Sequence, residues 1–142
     1  MKLFFRSRQM ALLLFVLFSP ELTAQRALPV ELRSVPGSNR VEVFTGGEFF
    51  TAYFQPDQVK KPVMWPVVSP GGHEITRAFP LAYKEGERTD HPHQVGIWFN
   101  FGDVNGLDFW NNSEVIAPEN RARYGTVILR SVDRIKSGRR EG

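Results

Sequence analysis

Residues 86–110 concentrate the side chains of this sequence that could do chemistry. Charged and imidazole groups alternate there with large aromatic rings, a composition typical of a ligand site. The polar members are Arg88, Asp90, His91, His93, Asp103, Asn105 and Asp108, and the tryptophans are Trp98 and Trp110. Groups of these types can transfer protons, bind hydroxyl groups or hold a metal ion.

His91-Pro92-His93 is the first spacing of interest in this stretch. Proline disfavours a helical conformation of the preceding residue, so we expect an extended chain that directs both imidazoles to one side, about 6–7 Å apart. The two rings could then ligate one metal ion with a carboxylate from elsewhere, or bind hydroxyls and shuttle protons. The alternative is structural, with one ring bonded to a backbone carbonyl and the other solvated. Because the spacing fixes no third ligand, we assign no metal and no cofactor.

Asp108 and Trp110 form a second candidate pair. A tryptophan ring can cover the apolar face of a sugar while a neighbouring carboxylate accepts hydrogen bonds from hydroxyl groups. Just before them, residues 102–106 have the composition of consecutive tight turns, in which Asp and Asn side chains bond their own backbone. For Trp98 we expect core filling.

These considerations give two sets of candidate site residues for a carbohydrate ligand. The catalytic candidates are His91, His93, Asp90 and Asp108. The substrate-binding candidates are Arg77, Arg88, Asp103, Asn105 and Trp110. Arg77 could clamp a carboxylate or phosphate, or pair structurally with a nearby acid.

The elements that position these residues are predicted to be strands. Apolar and polar residues alternate over residues 27–35 and 40–45, the period of a half-buried strand. Gly46-Gly47 separates residues 41–45 from residues 48–54, which predicts a tight hairpin because primed turns need positive φ.

Three later segments are also predicted to be extended. Residues 61–70 are apolar, but their prolines restrict them to an edge strand or an extended connection. Residues 94–101 are rich in branched and aromatic side chains, and residues 125–136 predict a last strand. With no amphipathic helix after residue 24, the pattern favours an all-β, antiparallel β-sandwich. A last strand without a returning partner favours a truncated chain, the front part of a larger domain.

Residues 1–24 have the organisation of a cleavable secretory signal. Lys2, Arg6 and Arg8 precede the apolar run 10–18, and Ala24 offers a small residue for cleavage. Nine apolar residues cover about 14 Å as a helix, roughly half of a bilayer core, so we expect no membrane span after cleavage. The prediction is an exported protein, periplasmic or secreted.

The rest of the chain is nearly neutral and has no cysteine. Without residues 1–24, 15 basic side chains remain against 14 acidic ones. The aromatic residues lie in the mildly acidic body and not in the basic tail after residue 117, which argues against a nucleic-acid partner. Disulfides and thiolate metal sites are excluded.

One run of motifs resembles a known family. The motifs include Lys61-Pro62, Ser69-Pro70-Gly71-Gly72, Ile75-Thr76-Arg77, Asp90-His91-Pro92-His93 and Gly102 to Trp110. In this order they are similar to the exported bacterial PmoA family (methane oxygenase PmoA) over residues 40–136. Residues 25–142 would then be the N-terminal part of a PmoA-like domain. Members of the family often carry a further His after His-Pro-His, where this chain has Gln94.

The resemblance implies a supersandwich like that of the galactose mutarotase group and a carbohydrate-directed role, with a histidine as proton donor and a carboxylate as proton acceptor. A non-catalytic glycan-binding module and, from the family name, a metal-dependent oxidoreductase are the alternatives. The sequence does not decide whether the protein is an enzyme, and it sets no oligomeric state.

Overall fold

The computed structural model describes residues 27–142, so the predicted signal at residues 1–24 lies outside the described residues. The strands are β1 (Val30–Ser34), β2 (Val41–Thr45), β3 (Glu48–Phe54) and β4 (Val63–Met64). They form one antiparallel sheet in the order β1-β2-β3-β4. A short 3₁₀ helix spans Pro118–Arg123. The predicted all-β class is confirmed, whereas the second sheet of a sandwich stays a prediction.

The predicted hairpin at Gly46-Gly47 is confirmed. Thr45 pairs with Glu48 across the turn, and the two glycines have φ values of 64° and 91°, as a primed turn requires. The register shifts between Val43 and Phe44, because one extra residue of β3 is inserted there as a bulge. The hairpin forms the centre of the sheet.

β4 is short because prolines flank it. Pro62 and Pro66 have no N–H to donate to a ladder. On one side Met64 pairs with Tyr53 of β3, and on the other it exchanges hydrogen bonds of 2.8 and 3.0 Å with Ile97. This exchange holds Ile97 beside the sheet, but the extended segment predicted over residues 94–101 is interrupted at Gly96, whose φ is 66°. The Trp65–Pro66 and Phe79–Pro80 peptide bonds are cis.

The predicted last strand over residues 125–136 is wrong. The Val127 N–H donates to the Lys60 carbonyl at 3.0 Å, and the Leu129 N–H donates to the Gln55 side chain at 2.6 Å. The facing segment contains Pro56 and bends before Lys60, so isolated hydrogen bonds replace a ladder. The following chain returns to the sheet, where Gly138 and Val30 exchange hydrogen bonds of 2.9 and 2.8 Å.

The core lies at the β4 side of the sheet. Val59, Val63 and Val95 are buried there, and Phe54, Trp65, Leu81 and Trp98 pack against them. Among the described residues, no helix is long and apolar enough to cross a membrane. The candidate site is built on the rim of this core.

Candidate functional site

Lys61 is at the centre of the candidate site, and the sequence analysis missed it. Its side chain is 0% exposed, and its Nζ donates a hydrogen bond of 2.8 Å to the Trp110 carbonyl. The same atom lies 4.9 Å from the centre of the Trp98 ring and 6.0 Å from that of Trp110. Burial lowers the pKa of Lys61 to about 8, against the opposing effect of the nearby Asp108 carboxylate. A lysine placed directly before an apolar run was the available clue.

The two tryptophans form one aromatic surface above this ammonium group. Their ring centres are 5.8 Å apart at an interplanar angle of 61°, an edge-to-face arrangement. Trp98 packs against the buried valines, which confirms the core-filling expectation for it. Trp110 remains 40% exposed and can therefore offer part of its ring to a ligand.

His91 and His93 lie close together, as their spacing predicted, but the predicted extended backbone is wrong. The ring centres are 5.8 Å apart. His91 has a positive φ of 52°, and the Gln94 N–H donates to the His91 carbonyl at 2.9 Å. The local turn therefore overrides the preference that Pro92 imposes. Positive φ costs on the order of 1–3 kcal/mol for a residue other than glycine, and such strain is often found at functional sites.

Asp90 connects His91 to the arginines of the preceding loop. Its carboxylate lies 2.9 Å from His91 Nδ1 and 2.7 Å from Arg88. Burial raises the pKa of Asp90, but the His91 hydrogen bond and the charges of Arg88, His91 and Arg77 outweigh it, so the pKa falls below its usual value. With its Nδ1 proton directed at this carboxylate, His91 can present Nε2 to a ligand.

The guanidinium group of Arg77 is already bonded to other residues of the chain. Its guanidinium donates to the carbonyls of Arg88 at 2.5 Å and Asp90 at 2.7 Å, and it lies 3.5 Å from Glu87. Glu87 also accepts the Ala78 N–H at 2.8 Å. Of the two roles left open for Arg77, the geometry favours the structural one, in which it holds the loop that carries Asp90.

His93 and Asp108 supply the remaining ionisable groups beside Lys61. Burial lowers the pKa of His93, and the Lys61 and His91 charges lower it further, although Asp108 opposes them. Burial raises the pKa of Asp108, but hydrogen bonds from Asn111 outweigh it and the net shift is downward. The Asn111 N–H and Nδ2 lie 2.9 and 2.7 Å from this carboxylate. The shifts in pKa favour the neutral form of His93 and the ionised form of Asp108.

Asn105 and Gly106 form a two-residue turn, and Asp103 lies just before it. Val104 and Leu107 exchange hydrogen bonds of 3.0 and 3.1 Å across it, and Asp103 accepts the Gly106 N–H at 2.8 Å. Asn105 has a φ of 55°. Of the consecutive tight turns predicted from composition, one is confirmed, at Asn105-Gly106, and the Asp103 and Asn105 side chains are exposed. The hydrogen bond from Gly106 gives Asp103 a structural role in this turn.

The imidazoles and carboxylates of the site do not make a metal centre. Within residues 27–142, no group of three or more His, Cys, Asp or Glu side chains could hold a metal ion. The site therefore offers stacking, hydrogen bonding and proton transfer.

Comparison with known proteins adds a family. Residues 40–142 match the model of DUF6807, described as a family of unknown function. No curated protein and no solved structure match the chain.

Proposed function

The chain belongs to the DUF6807 family of unknown function, and from this premise we propose that it is a carbohydrate-directed protein of the cell envelope. The cell-envelope part of the proposal depends on residues 1–24 alone, whose composition is that of an export signal. The carbohydrate part depends on the candidate site.

One observation carries the proposal: the partly exposed ring of Trp110 lies by the Asp108 carboxylate and the His93 imidazole. Trp110 is 40% exposed and packs edge-to-face on Trp98. A sugar presents an apolar face to such a ring and hydroxyl groups at its edge. Asp108 can accept hydrogen bonds from these hydroxyls, and His93 lies close enough for Asp108 to affect its pKa.

The same groups are suited to proton transfer in glycoside processing. His93, whose pKa is lowered first by burial, is a proton acceptor at neutral pH. His91 is oriented by Asp90, which lies 2.9 Å from Nδ1. Its Nε2 can therefore exchange a proton with a leaving oxygen, as a histidine oriented by a carboxylate does in other enzymes.

The test compares two histidines in the full chain. With a panel of glycosides as substrates, we expect His93→Gln to lower turnover by at least about tenfold, because a positioned proton acceptor is lost. The matched control is His73→Gln, since His73 is exposed and lies in the turn after Ser69. Circular dichroism would show that both variants fold. Turnover that is unchanged in His93→Gln would exclude the catalytic assignment.

A non-catalytic glycan-binding module is the second candidate, and one observation favours it. Asp90 lies within bonding distance of Arg88 and His91, and Asp108 accepts from Asn111, so each carboxylate already has partners within the chain that hold it in place. Calorimetry would then detect glycan binding while mass spectrometry detects no product. Trp110→Ala should abolish this binding and Tyr83→Ala, at an 80% exposed ring, should not. Glycan binding that survives Trp110→Ala would contradict both candidates.

A further inference from the structure

A cavity lies beside the candidate site, and the chain segments that line it are bonded to segments of that site. Its volume is about 480 Å³. An isolated bridge between Val59 and Ser113 joins the segment of Lys60 to the segment of Ser113 and Glu114. A second bridge joins Tyr124, which also lines the cavity, to Asp108 of the candidate site. The side chains that matter for what it binds are those of Lys60, Ser113, Glu114, Arg121, Tyr124 and Thr126.

Ser113 is a polar group of this lining whose hydroxyl has no partner. The residue is 2% exposed, and its Oγ makes no hydrogen bond to the described residues. An unpaired buried hydroxyl is unfavourable, and native structures retain few of them without a reason. A bound acceptor in the cavity would satisfy it.

The cations of the lining have donors to spare. Arg121 uses its Nε to bond the Ile116 carbonyl at 3.2 Å, which leaves its terminal nitrogens for a ligand. Lys60 donates to the Asp57 carbonyl at 2.7 Å and lies 3.8 Å from Glu114. The lining thus contains two cations, Lys60 and Arg121, and one carboxylate, Glu114. Because Glu114 already lies near Lys60, the charge of Arg121 is not balanced within the lining.

We propose that this cavity binds the oxyanion group of a small solute, a carboxylate, phosphate or sulfate. The terminal nitrogens of Arg121 match the paired oxygens of such a group. Ser113, Tyr124 and Thr126 belong to the lining of the same space, and their hydroxyls are of a type that can donate to an oxyanion. A volume of about 480 Å³ holds more than a bare ion and lies within the size range of small-molecule sites.

The test measures anion binding to the full chain by calorimetry and by amide NMR shifts. The probes are inorganic phosphate, sulfate, acetate and glucuronate, with glucose as the neutral counterpart. We expect saturable binding of at least one anion, with shifts at Ser113, Tyr124 and Thr126. Arg121→Gln should weaken it by about tenfold, because a charge-assisted pair is lost. Arg134→Gln makes the same charge change at an exposed position of the 125–136 segment and should change it by less than about twofold.

Three results would overturn the proposal. They are the absence of saturable binding for every anion, an equal loss in Arg134→Gln, and glucose that shifts Ser113, Tyr124 and Thr126 as strongly and binds as tightly as the best anion. If Arg121→Gln does not fold, Ser113→Ala replaces it, with an expected weakening of about fivefold for one lost hydrogen bond. The ranking of phosphate and sulfate against the carboxylates identifies the source of the oxyanion. His93→Gln should bind the anion normally, which separates this site from the proposed function.

Discussion

Lys61 is a single residue that connects the candidate site to the core, because its buried side chain bonds the backbone of Trp110. A buried ammonium group is costly, and one carbonyl and two ring faces compensate it only in part. Because the acceptor is the backbone carbonyl of Trp110, the lysine fixes the chain that carries the exposed ring. Its charge also keeps His93 neutral, adding to the effect of burial.

The lowered pKa of Lys61 predicts a rise of stability with pH. The pKa is 10.5 for an ordinary lysine and about 8 in the folded chain, so the folded state binds fewer protons between these values. The free energy of unfolding then increases as pH rises from about 8 to 10.5, by on the order of 3 kcal/mol. Below pH 8, Lys61 is protonated in both the folded and the unfolded state, so the free-energy cost of burying its charge does not change with pH. Urea unfolding at several pH values would measure it.

Lys61→Met provides the reference for this measurement, since other groups titrate in the same range. We expect the stability of the wild type relative to Lys61→Met to increase with pH. The pKa of His93, followed by NMR, should rise in Lys61→Met because a neighbouring cation is removed. A stability difference that is independent of pH would show that Lys61 is not a desolvated ammonium group.

At the scale of single residues, the sequence predicted that His91 and His93 lie close together, but it did not predict their backbone conformation. The nearness of His91 and His93 followed from their separation by one residue. The positive φ of His91 depends on the hydrogen bond from Gln94, which local propensity does not reveal. Lys61 was missed because burial of a lysine depends on Trp98 and Trp110, which are distant in sequence.

At the scale of elements, Gly96 determines how the aromatic segment meets the sheet. It has a φ of 66°, and a Cβ at this position would overlap the carbonyl oxygen of Met64. That carbonyl accepts the Ile97 N–H at 3.0 Å. The close approach therefore requires glycine and places Trp98 against the core.

Gly96→Ala should destabilise the chain by about 3 kcal/mol or more, because strain and a backbone clash add. Gly102→Ala is the matched control, since a Cβ there meets nothing within 4 Å and its φ is not positive. It should change the free energy of unfolding by less than about 0.5 kcal/mol. Thermal unfolding of the two variants would measure both effects, and similar midpoints would contradict the role given to Gly96.

The elements also separate what local sequence can predict from what it cannot. The hairpin of β2 and β3 followed from two glycines between alternating runs, because its partners are neighbours in sequence. The strand predicted over residues 125–136 failed since a strand needs a straight partner, and the segment facing it contains Pro56. Pairing between distant segments is a property of the fold.

At the scale of the whole molecule, residues 27–142 bury few apolar side chains and expose many. Phe99 is 92% exposed and Ile97 and Phe101 are also exposed, whereas Val59, Val63 and Val95 are sealed. The branched and aromatic residues of 94–101 predicted an extended segment, but they did not indicate which side chains would be covered. With a core this small, stability should be sensitive to any loss of volume in it.

Val63→Ala tests that sensitivity. Val63 is 0% exposed and lies in β4. It pairs with Phe54 of β3 and forms the core cluster together with Val59 and Val95. Removing two methyl groups should cost about 2–3 kcal/mol, from lost burial and the cavity left behind. Val115→Ala makes the same chemical change at a side chain that is 66% exposed and should cost less than about 0.5 kcal/mol. Chemical unfolding would measure both, and equal losses would mean that the cluster around Val63 does not organise the folding of this chain.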